Sequence, residues 1–362
     1  MSREISAMGQ QSAAVRPPCL RRCTEMVAGG HQGCAPVLAD NNWSHLAAYN
    51  SAAMLSRRAL LSFAAASAAH PVTAQARRIG RLVIIGGAED RLHDKVILRR
   101  FLELSGGPSA RIRLISAASG TPEWAWDTYG KAFADLGVTD FAPIPIEDRD
   151  AANSAAVTDS ILEADGLFIS GGDQRRLMDL IWETEAFKCL HTAFHLRGCC
   201  MGGTSAGAAV MSRHMLAQGE ATKLPEKEAA DLDIGLGFVA RAIIDQHFSE
   251  RGRLGRLLSA MAQWPNMLGV GIDENTALVI ERGTAVEVVG QGAVTVVDGR
   301  AMRTNVDLVD TRGRLEMLGL RVHLLPAGQR YSANPLVQRT QGMPIELREA
   351  VDLLVAPGPI RG

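Results

Sequence analysis

The sequence predicts an α/β fold built around a mostly parallel β-sheet, because short apolar runs alternate with segments whose apolar residues recur at helical spacing. Each run ends in Gly or Ser, which is typical of a buried parallel strand. The four runs are RLVIIGG (81–87), RIRLISAAS (111–119), GLFISGG (166–172) and GCCMGG (198–203).

Three helices are predicted between these strands. KVILRRFLELSGG (95–107) closes on Gly, and PEWAWDTYGKAFADLG (122–137) begins with Pro at the first helical position, as is common at helix ends and starts. RRLMDLIWETEAFKCLHTAFHLRG (175–198) is amphipathic along its length and predicts one long helix.

From about residue 268 the pattern changes to closely spaced strands, which predict an antiparallel β-rich extension packed against the parallel sheet. The strands are LGVGID, TALVIER, AVEVVG and AVTVVD. Beyond about residue 330, proline and glycine residues interrupt the pattern, and no helix or strand is predicted. Residues 331–362 are therefore interpreted as a C-terminal tail. Residues 77–330 are then expected to form a single domain.

The charge distribution argues against a nucleic-acid partner. The 362-residue chain has a formal net charge of −1, with 38 basic and 39 acidic side chains. Residues 1–76 contain six Arg and three acidic residues, which leaves 32 basic and 36 acidic side chains and a net charge of −4 for the remainder.

Residues 54–76 have the layout of a signal peptide. Arg57 and Arg58 precede an apolar run rich in Leu and Ala, and the pair resembles a twin-arginine signal. The run is too short for a membrane-spanning helix, so we expect export to the periplasm or medium without a permanent membrane anchor. Because a signal peptide belongs at an N-terminus, residues 1–53 are interpreted as a non-native or disordered extension before a true start at Met54.

The cysteine spacing predicts neither a metal site nor a disulfide framework. Cys199 and Cys200 are adjacent on a predicted strand. Their side chains are therefore expected to point to opposite faces of the sheet and to pack, not to act in redox chemistry.

GGTSAGAAVM (202–211) places Ser205 in a G-x-S-x-G motif between a predicted strand and an Ala-rich helix. In a nucleophile elbow, such small flanking residues permit the sharp turn that exposes the serine hydroxyl. Ser205 is therefore a candidate nucleophile. A serine before such a helix is also an ordinary N-cap, which is the competing interpretation.

A serine nucleophile needs a base within hydrogen-bond reach and a carboxylate that orients the base. His247 follows an apolar run in IIDQHFSERGRLGR and is the candidate base. The nearby Arg251, Arg253 and Arg256 form either a solvated basic face or a site for a substrate carboxylate. Their spacing predicts a transition from loop to helix.

GIDENTALVI (271–280) supplies the candidate carboxylate. Glu274 lies at a predicted strand end, Asp273 is its competitor, and either side chain could instead stabilise the turn. The SGGDQ segment ends another strand, where open α/β sheets place their ligand crevice. Backbone N–H groups near Gly172, together with that of Ala206, are candidate donors to an oxyanion.

Five segments, taken in order, resemble the cyanophycinase family of serine peptidases. They are GGAED (86–90), SGGDQ (170–174), GGTSAGAAVM (202–211), DQHFSERGRLGRL (245–257) and GIDENTAL (271–278). The resemblance covers about residues 79–328. It implies a sheet sandwiched by helices, related to the class I glutamine amidotransferase fold and flavodoxin-like, with a triad of Ser205, His247 and Glu274.

The resemblance also implies an activity. Family members hydrolyse cyanophycin, a polyaspartate whose β-carboxylates carry arginine, and release β-Asp-Arg dipeptides from one chain end. They need no metal or organic cofactor and often form homodimers. The pocket residues implied here are Gln174, Asp245, Gln246, Arg251, Arg253 and Arg256, with Asp245 receiving a substrate guanidinium. Met178 stands where family members often carry Lys, which leaves the exact substrate open.

Three alternatives stay open. A peptidase of the same superfamily that cleaves α-aspartyl or isoaspartyl dipeptides would share the serine elbow. An α/β-hydrolase esterase would use the order Ser, acid, His, which Ser205, Asp298 and His323 could supply. An exported binding protein would retain the triad without turnover.

Overall fold

The computed structural model describes residues 80–358. The predictions for residues 1–53 and 54–76 therefore lie outside the described residues. Within the described range, no helix is both long and apolar enough to cross a membrane. The strands are β1 (Arg81–Ile85), β2 (Arg111–Ile115), β3 (Asp140–Ile144), β4 (Gly166–Ile169), β5 (Cys200–Thr204), β6 (His214–Gly219), β7 (Ala230–Ile234), β8 (Ala242–Gln246), β9 (Leu268–Ile272), β10 (Thr276–Glu281), β11 (Ala285–Gly290), β12 (Ala293–Asp298), β13 (Arg303–Thr304), β14 (Met317–Leu318), β15 (Arg321–Pro326) and β16 (Arg330–Ser332). The helices are α1 (Val96–Ser105), α2 (Pro122–Asp135), α3 (Arg149–Ala152), α4 (Ala155–Glu163), α5 (Gln174–Ile181), α6 (Glu185–Thr192), α7 (Ala206–Ala209), α8 (Leu254–Gln263), α9 (Pro335–Thr340) and α10 (Ile345–Val355).

The central element is an eight-stranded sheet with the order β16-β11-β10-β1-β5-β4-β2-β3. β1, β5, β4, β2 and β3 pair in parallel, whereas β10, β11 and β16 continue the sheet in antiparallel pairing beyond β1. This mostly parallel sheet with its helices confirms the predicted α/β fold. Because parallel strands end at the same edge, the segments after β1, β4 and β5 meet there.

Helices cover both faces of this sheet, and each face has its own hydrophobic core. β1 alternates between them, with Leu82 and Ile84 in one core and Val83 and Ile85 in the other. Helices α4, α5, α6 and α10 contribute to the first core, and α1 and α2 to the second. Burying each of these β1 side chains stabilises the fold by roughly 1.5–3 kcal/mol, which fixes the strand between two layers.

The adjacent cysteines lie on opposite faces of the sheet, as the alternation of a strand predicts. Cys199 is buried in the first core and Cys200 in the second. Burial raises the pKa of both thiols, that of Cys200 to about 12. Both side chains therefore stay protonated near neutral pH, which suits a packing role.

The strands after residue 268 do not form one separate extension. β10 and β11 join the central sheet next to β1, whereas β9 and β12 belong to a four-stranded sheet with the order β15-β12-β9-β8. In that sheet β9 pairs in parallel with β8, whereas β12 pairs antiparallel with both β9 and β15. Turn spacing predicts the strands correctly, but it does not specify pairing with partners far away in the chain.

The prediction of one long helix over residues 175–198 is wrong. α5 ends at Ile181 and α6 begins at Glu185, after Glu183 with a φ of 58°. Thr184 is the N-cap of α6, and its side chain accepts a hydrogen bond from the backbone N–H of Phe187. A short π-helical segment, Ala193–Arg197, follows. The apolar periodicity continues across the break, which hides the cap.

The sequence pattern did not indicate several elements of the fold, among them β3, α9 and α10. β3 adds a fifth parallel strand at the sheet edge, and its Pro143 is the kind of residue that demotes a predicted strand. The segment interpreted as a tail contains α9 and α10. Pro335 occupies the first turn of α9, and Pro344 is the N-cap of α10, so these prolines start helices instead of preventing them.

Candidate active site

Ser205 lies on a sharp turn between β5 and α7. Its backbone φ and ψ are 54° and −110°, a strained conformation for any residue other than glycine. A Cβ atom at Gly203 would overlap the carbonyl oxygen of Gly207, and one at Gly207 would overlap the carbonyl oxygen of Ile169. The elbow therefore requires glycine on both sides of the serine.

Gly207→Ala tests this packing argument. Since the added methyl group overlaps a backbone oxygen that cannot rotate away, we expect the free energy of unfolding to fall by about 1–3 kcal/mol. Gly120→Ala is the matched control, because no atom lies within 4 Å of the added Cβ there. Urea unfolding followed by circular dichroism measures both variants, and equal stabilities would contradict the argument.

A continuous chain of hydrogen bonds joins the three predicted triad residues. Ser205 Oγ is 3.0 Å from His247 Nε2, and His247 Nδ1 is 2.5 Å from Glu274 Oε1. With Nδ1–H donating to the carboxylate, Nε2 can accept the serine proton. Although Ser205 occupies the N-cap position of α7, its side chain makes no capping hydrogen bond within the described structure.

The two competing acidic residues have different partners. Asp273 Oδ1 accepts hydrogen bonds from the backbone N–H and the hydroxyl of Ser249, at 3.2 and 2.5 Å, and its Oδ2 accepts from Ala293 N at 3.0 Å. Asp273 therefore stabilises the turn. Glu274 is the acid that reaches the imidazole.

The GGAED segment holds His247 in place. His247 has a φ of 48°, and its backbone N–H donates to the carbonyl oxygen of Gly86 at 2.7 Å. Gly87 has a φ of 104°, and a Cβ there would overlap the imidazole ring. Asn275 N donates to the carbonyl oxygen of Gly87 at 2.8 Å. The glycine pair thus links the base to the turn that carries Glu274.

The surroundings of His247 lower its pKa below the ordinary value of 6.5. Burial is the main cause, because desolvation disfavours the imidazolium. The hydrogen bond to Glu274 raises the pKa, while the positive charges of Arg251 and Arg253 lower it further. At neutral pH the imidazole is therefore mostly uncharged and able to accept a proton.

A pH profile of kcat/KM tests this state of the base. We expect activity to be level near neutral pH and to fall about tenfold per unit once the pH drops below the pKa of His247. The midpoint of this acid limb should lie below the ordinary value of 6.5. Because the charge of Arg251 lowers the pKa, Arg251→Gln should move the midpoint to higher pH. An unmoved midpoint would contradict this electrostatic account.

A cavity of about 180 Å³ opens beside the serine and histidine. Its walls come from the segments after β1, β2, β4 and β8, from the end of β5 with the elbow that follows it, and from α2. The lining residues are Ala88, Glu89, Arg91, Ser119, Trp124, Ala125, Tyr129, Ser170, Gly171, Thr204, Ser205 and His247. Sequence reasoning assigned no role to Glu89, Arg91, Trp124, Tyr129 or Thr204, although Glu89 belongs to the GGAED segment.

Glu89 is a buried carboxylate that joins two walls of the cavity. Its Oε2 accepts a hydrogen bond from the hydroxyl of Thr204 at 2.5 Å, and its Oε1 accepts one from the hydroxyl of Tyr129. Burial and the nearby Glu89 raise the pKa of Tyr129 well above its ordinary value, so this hydroxyl stays a donor. Because Thr204 precedes the serine, this contact ties the elbow to α2.

Asp245 and Arg256 pair with each other. Both side chains are buried, and the Arg256 guanidinium donates to both carboxylate oxygens of Asp245, with Nε 3.0 Å from Oδ2. Burial raises the pKa of Asp245, and the guanidinium opposes that rise. The prediction that Asp245 receives a substrate guanidinium therefore finds no support in this geometry. The pair instead fixes β8 to α8.

The other predicted pocket residues are largely engaged within the protein. Gln174 Nε2 donates to the carbonyl oxygens of residues 216 and 217, and Arg253 Nη1 donates to both oxygens of Gln246. Burial lowers the pKa of Arg253 to about 10. Of the six, all of which are described, only Arg251 is exposed. Met178, which stands where family members often carry Lys, is buried in the first core and does not line the cavity.

The Gly-Gly turn after β4 lies against the elbow. A Cβ at Gly171 would stand 3.3 Å from Ser205 Cβ, and Gly171 lines the cavity. Gly172 has a φ of 143°, and a Cβ there would overlap the carbonyl oxygen of Ala118. Ala206 is the first residue of α7. The roles of Gly172 and Ala206 as oxyanion donors remain predictions.

The acid and the histidine of the esterase alternative, Asp298 and His323, lie on β12 and β15 of the four-stranded sheet. Asp298 accepts hydrogen bonds from the Arg300 side chain at 2.9 and 2.8 Å. His323 lies on β15, opposite Val296 in the four-stranded sheet. Since the imidazole that contacts Ser205 belongs to His247, the order Ser205, Asp298, His323 has no structural support.

Comparisons with known proteins agree with the fold and with the motifs. The family model described as peptidase family S51 matches residues 82–288. A cyanophycinase of Geminocystis herdmanii is 39% identical over 215 residues, which cover 59% of this chain and 79% of the relative. A cyanophycinase of Trichormus variabilis is 38% identical, with 59% and 72% coverage. The crystal structure of a peptidase from an acI-B1 Actinobacterium shares the fold, with a TM-score of 0.53 and 22% identity, covering 71% of this chain and 98% of that chain.

Proposed function

Because this chain belongs to peptidase family S51 as a serine-type peptidase and is similar to cyanophycinases, we propose that it hydrolyses cyanophycin to β-Asp-Arg dipeptides. The proposed catalytic residues are Ser205, His247 and Glu274. The observation that carries the proposal is the hydrogen-bond chain from Ser205 through His247 to Glu274. Ser205, the first residue of this hydrogen-bond chain, lies on a strained elbow, and both Ser205 and His247 line the cavity.

In the proposed reaction, His247 Nε2 takes the proton of Ser205 as Oγ attacks the scissile carbonyl. Glu274 keeps Nδ1 protonated and stabilises the imidazolium. His247 then protonates the leaving amine as the C–N bond breaks, which leaves an acyl-enzyme on Ser205. Water, deprotonated by His247, attacks the ester and releases the product acid and free serine.

Charge on the substrate oxygen needs donors close to the elbow. We assign this role to the backbone N–H groups of Gly172 and Ala206, which follow the ends of neighbouring strands. Removing one donor from such a site costs about 10²–10³-fold in kcat in other serine peptidases. Ala206 is also the first residue of the short α7, and the first N–H groups of a helix have no partner within the helix.

Substrate binding is proposed to use the arginine-rich segment in two ways. Arg251 is exposed near His247 and can pair with a substrate carboxylate. The buried contacts of Arg253 with Gln246 and of Arg256 with Asp245 support the loop that carries Arg251. The cyanophycin substrate follows from the names of the relatives, and a β-aspartyl peptide is the corresponding small substrate.

Product analysis on purified cyanophycin tests the proposal. Incubation with the enzyme should release β-Asp-Arg dipeptides, identified by mass spectrometry, and Ser205→Ala protein is the control. Parallel assays with α-aspartyl and isoaspartyl dipeptides separate the related dipeptidase activity. Cleavage of those dipeptides with intact polymer would replace the proposed substrate, and no cleavage by a folded wild-type enzyme would favour a binding protein.

We also propose that residues 54–76 direct export to the periplasm or medium. The support is the Arg pair followed by an apolar run and small residues. N-terminal sequencing of exported protein tests this, since a mature chain that begins before residue 50 contradicts it.

A further inference from the structure

The cavity beside Ser205 contains a guanidinium that the proposed reaction does not use. We propose that Arg91, held against Trp124, forms a subsite for a substrate carboxylate. This inference rests on the proposed function, because it names a part of the substrate that the same cavity holds. Arg91 and Trp124 line the cavity together with Ser205 and His247.

Aromatic rings fix the position of the Arg91 guanidinium. Its central carbon lies 5.4 Å from the centroid of the Trp124 ring and 5.7 Å from that of Tyr129, both within the range of a cation–π contact. The Arg91 side chain is 27% exposed. The Arg91 side chain also interacts with the Tyr129 hydroxyl, and this interaction opposes the rise in pKa that burial causes there. The other N–H donors of its fork stay open to further partners, and a guanidinium already held in place loses little rotamer freedom when one binds.

The nearest acid does not form a close ion pair with Arg91. Arg91 Nη1 is 4.0 Å from Glu89 Oε1, the outer limit of an ion pair, and Glu89 already accepts hydrogen bonds from Tyr129 and Thr204. Arg256 is different, because its guanidinium is buried and bonded to both oxygens of its acid. Arg91 thus lines the cavity, and among the described residues no carboxylate binds its guanidinium in a bidentate way.

A carboxylate fits this position better than a neutral group. The guanidinium fork matches a carboxylate in bidentate geometry. Trp124 is 56% exposed and offers an apolar surface to the methylene groups next to the bound carboxylate. The proposed substrate has two sources of this chemistry, which are the α-carboxylate of the β-linked arginine and the free carboxyl end of the polyaspartate chain.

Binding measured without turnover tests the subsite. Three matched β-Asp-Arg oligopeptides are titrated by calorimetry into Ser205→Ala protein with and without Arg91→Gln. One peptide has both kinds of carboxylate free, one carries arginine carboxamides, and one carries a carboxamide at the main-chain end. Arg91→Lys retains the charge without the fork. Arg339→Gln, on the exposed α9, is the matched control.

We expect Arg91→Gln to weaken binding of the free-acid peptide about 10- to 100-fold, the usual effect of losing hydrogen bonds to a charged group. Binding of one carboxamide peptide should be nearly unchanged by the substitution, and that peptide identifies the carboxylate that Arg91 binds. Arg91→Lys should fall between wild type and Arg91→Gln, and Arg339→Gln should match wild type.

Equal weakening of all three peptides, no weakening, or no binding of any peptide would each overturn the subsite. Thermal unfolding checks that Arg91→Gln is folded; if it is not, the selectivity of Arg91→Lys among the three peptides decides the same question. Turnover of the same peptides by wild-type protein tests the proposed function separately. Carboxylate-selective binding through Arg91 without turnover would leave the subsite standing while the proposed activity fails.

Discussion

Ser205→Ala is expected to reduce kcat on β-Asp-Arg substrates by roughly 10⁴-fold or more, because the nucleophile and its covalent intermediate are lost. Substrate binding should persist, since the hydroxyl contacts His247 and the substitution leaves the cavity walls in place. Single-turnover kinetics with a chromogenic β-aspartyl peptide measures the loss. Ser109→Ala, at an exposed position, is the matched control and should behave as wild type.

The same variant distinguishes a nucleophile from a helix cap. Loss of a capping side chain costs about 1 kcal/mol of stability and leaves chemistry intact. Ser205 makes no capping hydrogen bond in the described structure, so we expect Ser205→Ala to retain nearly the wild-type free energy of unfolding. A stability loss with activity within threefold of wild type would show that the cap interpretation is correct.

Glu274→Gln has the second largest expected effect, a decrease of about 10²- to 10⁴-fold in kcat. The amide cannot compensate the positive charge that His247 acquires during attack, and its NH₂ group favours the wrong tautomer. The hydrogen bond to Glu274 raises the pKa of His247. Its loss should therefore move the acid limb of the remaining activity to lower pH. Steady-state kinetics across pH measures both effects.

Asp273→Asn is the matched comparison, because the two acids are adjacent and only one contacts the imidazole. Asp273 accepts hydrogen bonds from Ser249 and Ala293. Its substitution should therefore lower the free energy of unfolding, whereas its effect on kcat should be much smaller than that of Glu274→Gln. If Asp273→Asn lost orders of magnitude in rate while Glu274→Gln stayed close to wild type, the assignment of the third residue would be reversed.

Local patterns carried much of the fold prediction. β1, β2, β4 and β5 were evident because each is a short apolar run followed by small residues. The pairing of strands was not evident, since β10 joins β1 although Ile280 lies 198 positions after its partner Leu82. The break near Thr184 was also hidden, because one capping side chain decides it while the apolar spacing continues on both sides.

The sequence likewise indicated some residues of the candidate site and missed others. The motif around Ser205 and the position of His247 after a strand are local features, so the sequence identified both. The local pattern did not separate Glu274 from Asp273, since both are acids on the same turn; the family resemblance favoured Glu274, which is the acid that contacts the imidazole. Glu89 was missed because its partners Tyr129 and Thr204 lie 40 and 115 positions away.

In the arginine-rich segment, two residues that the family resemblance places in the substrate pocket are bonded to each other within the protein. Arg256 and Asp245 were both expected to contact substrate, and they neutralise each other in the protein interior. A charged pair of this kind is costly to separate once buried. Arg91, outside that segment, instead lies in the cavity, and no spacing rule connects position 91 with Trp124.

Active-site labelling tests the central claim most directly, because it reports the reactivity of one hydroxyl without any assumption about the natural substrate. Wild-type protein and His247→Ala protein are treated with an uncharged fluorophosphonate, and the modified residue and its labelling rate are determined by mass spectrometry of the peptides. The account predicts rapid modification of Ser205 in wild type and at least about 100-fold slower modification without the imidazole. Modification of Ser205 at the same rate in both proteins, or selective modification of a different serine, would contradict it.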